Sequence, residues 1–108
     1  MSDNFHIVLC TCPDSQSATE IAEFLVANNL CACVNIIDGI KSIYQWKGKI
    51  ESSQEQLLII KSVKDAYPDI ERAILELHPY ELPEVIAVSI DTGLPDYLSW
   101  INDNARTI

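Results

Sequence analysis

Glycine is scarce in this chain, with three residues in 108. No Gly-x-Gly-x-x-Gly, P-loop, Gly-x-Ser-x-Gly or His-Glu-x-x-His pattern occurs, which excludes the common phosphate cradles, the nucleophile elbow and the zincin helix. Basic residues are also few. Seven Lys and Arg face sixteen Asp and Glu, a net charge of −9. That balance argues against nucleic acid and anionic lipid as partners. Arg72 falls in a helical stretch and Arg106 in the tail, so neither sits in a phosphate-binding loop. No apolar run approaches the ~18 residues of a membrane span. The strongest, Leu57-Leu58-Ile59-Ile60, suits a buried strand. Met1 to His6 carries no Lys or Arg, and no apolar region with a cleavage site follows. No secretory signal is read, and a cytoplasmic protein is expected. The four cysteines are then expected as thiols.

What is present fits one domain, residues 1–108, with 48% hydrophobic residues to build a core. Phe5 to Cys12 reads as a strand bounded by Pro13-Asp14. Ser17-Ala18-Thr19-Glu20 has the form of a capping box. It introduces a helix with Ala18, Ile21, Ala22 and Leu25 on one side, ending near Asn28-Asn29. Ala32 to Ile37 and Ile40 to Lys47 form a strand interrupted by Asp38-Gly39, a bulge signal. Lys47-Gly48-Lys49 is a tight turn into a return strand, Ile50 to Val63. Pro68 opens a second helix with Ile70, Ile74 and Leu77 as its buried stripe, and Pro79 stops it at His78. Val85 to Ile90 is a fourth strand, and Pro95 opens a last helix carrying Tyr97, Leu98, Trp100 and Ile101.

The expected fold is therefore α+β, a ferredoxin-like βαββαβ sandwich with an additional C-terminal helix. Right-handed crossovers put both main helices on one face of a four-stranded antiparallel sheet. Leu57 and Ile59 point away from Leu58 and Ile60, so one apolar set is left over. It is covered either by the tail helix or by other copies in a homo-oligomer, and the oligomer is favoured. The charge pattern agrees. Lys41 to Lys64 holds five Lys against Glu51 and Glu55, a net +3, and the remainder is −12. Such a hairpin is either simply solvated or meets an acidic neighbouring subunit.

Chemistry-bearing residues are limited. Cys10/Cys12 and Cys31/Cys33 form two Cys-x-Cys pairs. On a strand each pair shares a side and could hold a soft ion such as Cu(I), or act as small buried hydrophobes. His78 could cap its helix or ligate a metal. Glu55 is an edge solvator or a ligand, and Glu81 and Glu84 flank a short loop around Leu82-Pro83. Tyr44, Trp46 and Tyr80 suit a subunit interface or the wall of a small-ligand pocket.

Leu30-Cys31-Ala32-Cys33-Val34-Asn35 resembles the Leu-Ala-Ala-Cys-Val-Asn signature of the CutA proteins, named for divalent-cation tolerance. Cys10-Thr11-x-Pro13-Asp14, Ser42-Ile43-Tyr44-x-Trp46-x-Gly48, Glu55 with Lys61 six residues on, His78-Pro79-Tyr80-Glu81-x-Pro83-Glu84 and Tyr97-Leu98-x-Trp100-Ile101 are similar to that family too. The matches run in order over nearly the whole chain. The resemblance implies a ferredoxin-like subunit in a tight homotrimer with long hairpins reaching neighbouring subunits. It implies a cleft between subunits and an association with copper and other divalent metals, copper ahead of zinc. Cys10, Glu55 and His78 become the candidate metal ligands, and Tyr44, Trp46, Lys61, Tyr80 and Glu84 line or support the cleft. Where some members carry a second His directly before the first, this chain has Leu77, so a two-His site is absent. Cys12 and Cys31 stand where many members have other small residues. Two rival readings remain. One is a signalling trimer of PII-like architecture that takes a small anionic ligand through Lys61. The other is an enzyme with Cys10 as nucleophile and His78 as base, although no catalytic role is expected.

Overall fold

The structure, a computed structural model, describes residues 4–105. Met1 to Asp3, part of the N-terminal reading, and Arg106 lie outside them. The elements are β1 (Phe5–Cys12), α1 (Ser15–Ala27), β2 (Cys33–Trp46), β3 (Lys49–Val63), a single 3-10 turn (Lys64–Ala66), α2 (Tyr67–Leu77), β4 (Ile86–Ser89) and α3 (Pro95–Asn104). The sheet order is β2-β3-β1-β4 with every pairing antiparallel. This is the split βαβ arrangement expected from the element order, with the tail helix added.

The period of two in the strands decides the core. Val8, Cys10, Cys12, Leu58 and Ile60 all face the helices and are fully buried. They pack with Ala18, Ile21 and Leu25 of α1 and with Ile70, Ala73 and Ile74 of α2. Leu77, expected on the same stripe, is exposed. The helix ends there, and His78 takes an extended conformation that turns the chain away. Ile101 of α3 and Ala105 are buried outside that cluster, with α3 packed against β3.

The first helix is capped differently from the expected box. Asp14 is its N-cap and accepts the Ser17 backbone N–H at 2.8 Å. Ser17 is already inside the helix. Asp14 lies three residues before the N–H it accepts, so it satisfies the orphan donor that the box would have left to Ser17. These hydrogen bonds hold the Asp14 carboxyl below its ordinary range. Asp14→Ala is expected to lower the melting temperature, whereas Ser17→Ala leaves it nearly unchanged. Because the folded-state pKa is depressed, the Asp14 contribution is present above the unfolded pKa. It is lost as pH falls through the folded value. Melting curves of both variants at neutral and acid pH check this. Equal effects of the two substitutions would return the cap to Ser17.

Two backbone devices shape the β2–β3 hairpin. The register slips between Ile37 and Ile40, where Gly39 adopts φ +78° and its N–H binds its neighbour's Asp38 Oδ1 at 2.8 Å. Gln56 donates to the same carboxylate at 3.2 Å. At the tip Lys47 and Gly48 both have positive φ, 52° and 79°, the pattern of a two-residue turn whose twist matches the strands. β1 pairs β3 only over Gln56–Val63, so Lys49–Glu55 and the matching part of β2 form an arm beyond the rest of the sheet. This arm stretches the longest dimension to 44 Å.

The sheet face away from α1 and α2 remains partly open. By register it carries Ile7, Leu9, Leu57, Ile59, Ile37, Ile86 and Val88. Ile86 and Val88 are 51% and 50% exposed, so α3 covers only part of this face.

Candidate metal cluster and cleft

Period two also places Cys10 and Cys12 side by side at the end of β1, facing the helices. His78, at the C-terminus of α2, arrives above them. The candidate ligand atoms of Cys10, Cys12 and His78 all lie within 4.8 Å of one another, and all three residues are buried. Of the sequence-derived ligands, the structure therefore joins Cys10 to His78 and adds Cys12, which the sequence had left open. Glu55 is not in this cluster. It sits on the far side of Tyr80, whose hydroxyl donates to Glu55 Oε2 at 2.9 Å. The Tyr80 ring lies 4.8 Å from the imidazole of His78.

Both imidazole nitrogens are engaged. The Tyr80 backbone N–H donates to His78 Nδ1 at 3.1 Å. Nε2 lies 2.7 Å from the Thr11 carbonyl oxygen, an acceptor only, and so carries the proton. The two thiols titrate as a pair. The neighbouring Cys12 thiol pushes the Cys10 pKa up, with burial adding to the effect. The same pairing pulls Cys12 down and makes it the first thiolate of the two. Cys31 behaves otherwise. Burial, followed by the charge of Cys33, raises it to about 12, so it is an inert packing thiol. Cys33 is on β2, separated from β1 by β3, and the two Cys-x-Cys pairs do not merge. Every cysteine is a free thiol.

Where the arm leaves the body of the sheet, a cleft of about 610 Å³ opens. Thr11, Ser42, Ile43, Tyr44, Trp46, Glu55, Tyr80, Glu81, Leu82 and Glu84 line it. Tyr44, Trp46, Tyr80 and Glu84 are thus brought together in a cleft within one chain. Lys61 is not among them. It shares a strand face with Glu55 but lies six residues on, about 20 Å along an extended chain. There its ammonium donates to Asn35 Oδ1 and lies 3.9 Å from Cys33 Sγ. The linkage missed by sequence reasoning is Tyr80, which touches both sites: backbone N–H and ring on His78, hydroxyl on Glu55. Nothing in the spacing of His78-Pro79-Tyr80 specified that reach.

Burial first, and then the Glu55 hydrogen bond, raise the Tyr80 phenol to about 12. Because the folded value lies above the ordinary 10, its stabilising contribution is complete below pH 10 and is lost as pH rises through 12. A tyrosinate absorbance titration should show Tyr80 ionising late, and Glu55→Gln should bring it part of the way down. Simultaneous ionisation of all tyrosines near pH 10 would contradict the Tyr80–Glu55 hydrogen bond.

A four-stranded antiparallel sandwich with a buried thiol–imidazole cluster and a cleft at the root of a long hairpin defines a small α+β protein of ferredoxin-like topology. Residues 6–104 match the family described as CutA1 divalent ion tolerance protein. The chain belongs to that family. It is 42% identical over 98 residues to a divalent-cation tolerance protein CutA of Thermus thermophilus, covering 91% of this chain and 95% of that one. To mouse protein CutA it is 43% identical over 91% of its own length, which is 55% of the mouse protein. Among solved structures, CutA1 from Shewanella sp. SIB1 superposes with a TM-score of 0.94 at 41% identity, covering 99% of this chain and all of that one. The Thermus thermophilus structure gives 0.93 at 40% identity, covering 94% and 99%.

Proposed function

We propose that this protein binds soft metal ions, copper foremost, through Cys10, Cys12 and His78, as a homotrimer that contributes to metal tolerance. The observation that carries the reading is the convergence of three buried donors within 4.8 Å. Their chemistry fits the group. Two thiolates and an imidazole favour Cu(I), with Zn(II) second, over hard oxygen-seeking ions such as Mg(II) or Ca(II). When bound, such an ion is sequestered or sensed. The chain's own residues supply the donors, exclude water, and give up the thiol protons. The His78 ring must release either the Tyr80 N–H or its own Nε2 proton to free a lone pair. Glu55 enters this reading as a residue held behind Tyr80, one contact away from the donors.

The half-exposed Ile86 and Val88 support burial of the open face between copies. Free thiols at all four cysteine positions suit a reducing, cytoplasmic location. The relatives vary: one from Arabidopsis thaliana is described as chloroplastic and one structure from Archaeoglobus fulgidus as periplasmic. No described helix is long and apolar enough to cross a membrane. The anion-binding rival loses its anchor, because Lys61 lies outside a cleft whose charged lining is Glu55, Glu81 and Glu84. Catalysis by Cys10 is disfavoured, since its thiol is fully buried and held protonated.

Native mass spectrometry of the reduced protein, before and after Cu(I) and then Zn(II), tests both parts. Three chains carrying integral copper is the expected species. A trimer indifferent to both metals would remove the metal reading, and a monomer would remove the assembly.

A further inference from the structure

Cys10 and Cys12 are a dithiol as well as a pair of donors. Both sit on the helix side of β1, their sulfurs lie within 4.8 Å of each other, and both are free thiols. Two residues along a strand span about 6.6 Å. That is the outer edge of the Cα separation a disulfide accepts, about 4.4–6.8 Å. Bridging therefore needs a small inward movement of the backbone, and the chain is free to make it here. β4 pairs β1 only from His6 to Leu9, so Cys10 to Cys12 are laddered on one side alone, to β3. Cys12 ends the strand, and Pro13 after it has no N–H to lose. Cys31 and Cys33 have the same spacing without the shared side. Cys31 belongs to the core cluster beneath the helices. Cys33 pairs Lys61, which pairs Ile7 of the opposite face.

We propose that Cys10 and Cys12 close reversibly into a disulfide under hydrogen peroxide, and that closure ejects the bound copper. The inference rests on the metal reading above and adds its regulation. One thiol sulfur attacks the peroxide: an S–O bond forms, the O–O bond breaks, and water leaves behind a sulfenic acid. The other sulfur attacks that sulfenic sulfur. The S–S bond forms, the S–O bond breaks, and the hydroxyl leaves as water with the second thiol's proton. The two sulfurs lose two electrons and peroxide oxygen takes them. Peroxide is close to water in size, and Thr11, between the two cysteines, lines the cleft, so the oxidant's route ends one residue from the pair. Closure removes two donors at once. It also draws on Thr11, whose carbonyl oxygen accepts the His78 Nε2–H at 2.7 Å, so the third donor loses its anchor in the same step. A bridge made at the limit of its geometry is strained and easily reduced, which returns the pair to copper.

The test uses the full chain, reduced and metal-free. Its Cu(I) affinity is measured first, by chelator competition. Hydrogen peroxide is then added, remaining thiols are blocked with iodoacetamide, and intact and peptide masses are read. The expected product is about 2 Da lighter per chain, two hydrogens, with the bridge inside the peptide that holds Cys10 and Cys12. Freed of peroxide, it should bind Cu(I) about a hundredfold or more weakly. Glutathione should restore both mass and affinity. Cys31→Ser/Cys33→Ser should bridge as the parent does, and the mass loss should be absent from Cys12→Ser. Sulfinic or sulfonic acid at Cys10 or Cys12 in place of a bridge, or a bridge elsewhere, would overturn the proposal and leave the metal reading standing. A bridged protein that keeps its copper affinity would overturn it as well. Reduced protein without copper affinity, seen before any peroxide is added, would remove the metal reading and this regulation with it.

Discussion

Replacing Cys10 and Cys12 together by Ser is expected to abolish Cu(I) binding while leaving the fold intact. The hydroxyl is smaller than the thiol and a hard donor, so the loss is chemical before it is steric. Supporting groups outside a metal's own ligands commonly change affinity by about 10- to 100-fold. Losing two direct thiolates should therefore exceed roughly a hundredfold. His78→Ala should cost less, about tenfold, because its lone pair must first be taken from the Tyr80 N–H and part of its binding is spent on that exchange. Binding must also release the thiol protons, so affinity rises with pH. Cys12 ionises before Cys10, since their pairing lowers the one and raises the other. Competition against a chromophoric Cu(I) chelator under reducing conditions measures all three proteins. Cys31→Ser/Cys33→Ser is the control. Its sulfurs lie at the start of β2 and in the loop before it, separated from the cluster by β3, and its copper affinity should match the unmodified protein. Copper retained by the Cys10/Cys12 variant, or lost by the control, would falsify the assignment.

The sequence was informative wherever a local rule acts alone. Strand alternation alone puts Cys10 and Cys12 on one side and separates Leu58 and Ile60 from Leu57 and Ile59. Asp38-Gly39 and Lys47-Gly48 announced the bulge and turn because positive φ is written in glycine. The failures come where two local options compete or where contact is made at long range. The capping box was read at Ser17, whereas the helix begins one turn earlier and Asp14 accepts the Ser17 N–H instead. Leu77 carries the right spacing for a buried stripe, yet the helix ends under it. The separation of Glu55 from Cys10, Cys12 and His78 depends on Tyr80 reaching back across a loop, from a position 25 residues away in sequence. Lys61 shares a strand face with Glu55, but face is not distance.

Charging the open face should break the assembly. Ile86→Asp combined with Val88→Asp places two carboxylates on the side of β4 away from α1 and α2, where the parent side chains are 51% and 50% exposed in one chain. Burying a large aliphatic side chain contributes about 1.5–3 kcal/mol, and in a trimer each substitution acts in all three copies. The native mass is therefore expected to fall from three chains to one. The melting temperature should fall with it and cease to depend on protein concentration. Leu75→Asp supplies the contrast. Leu75 is also exposed, at 57%, but lies on α2, on the opposite side of the sheet, so its variant should remain a trimer. The comparison separates a specific interface from general sensitivity to exposed apolar loss, because both sites start from similar exposure. A trimeric Ile86/Val88 variant would place the interface elsewhere, most directly on the arm, where Ile43 and Ile50 are 68% and 80% exposed. An unmodified protein that is monomeric at micromolar concentration would leave the half-exposed face without a partner and withdraw the trimer altogether.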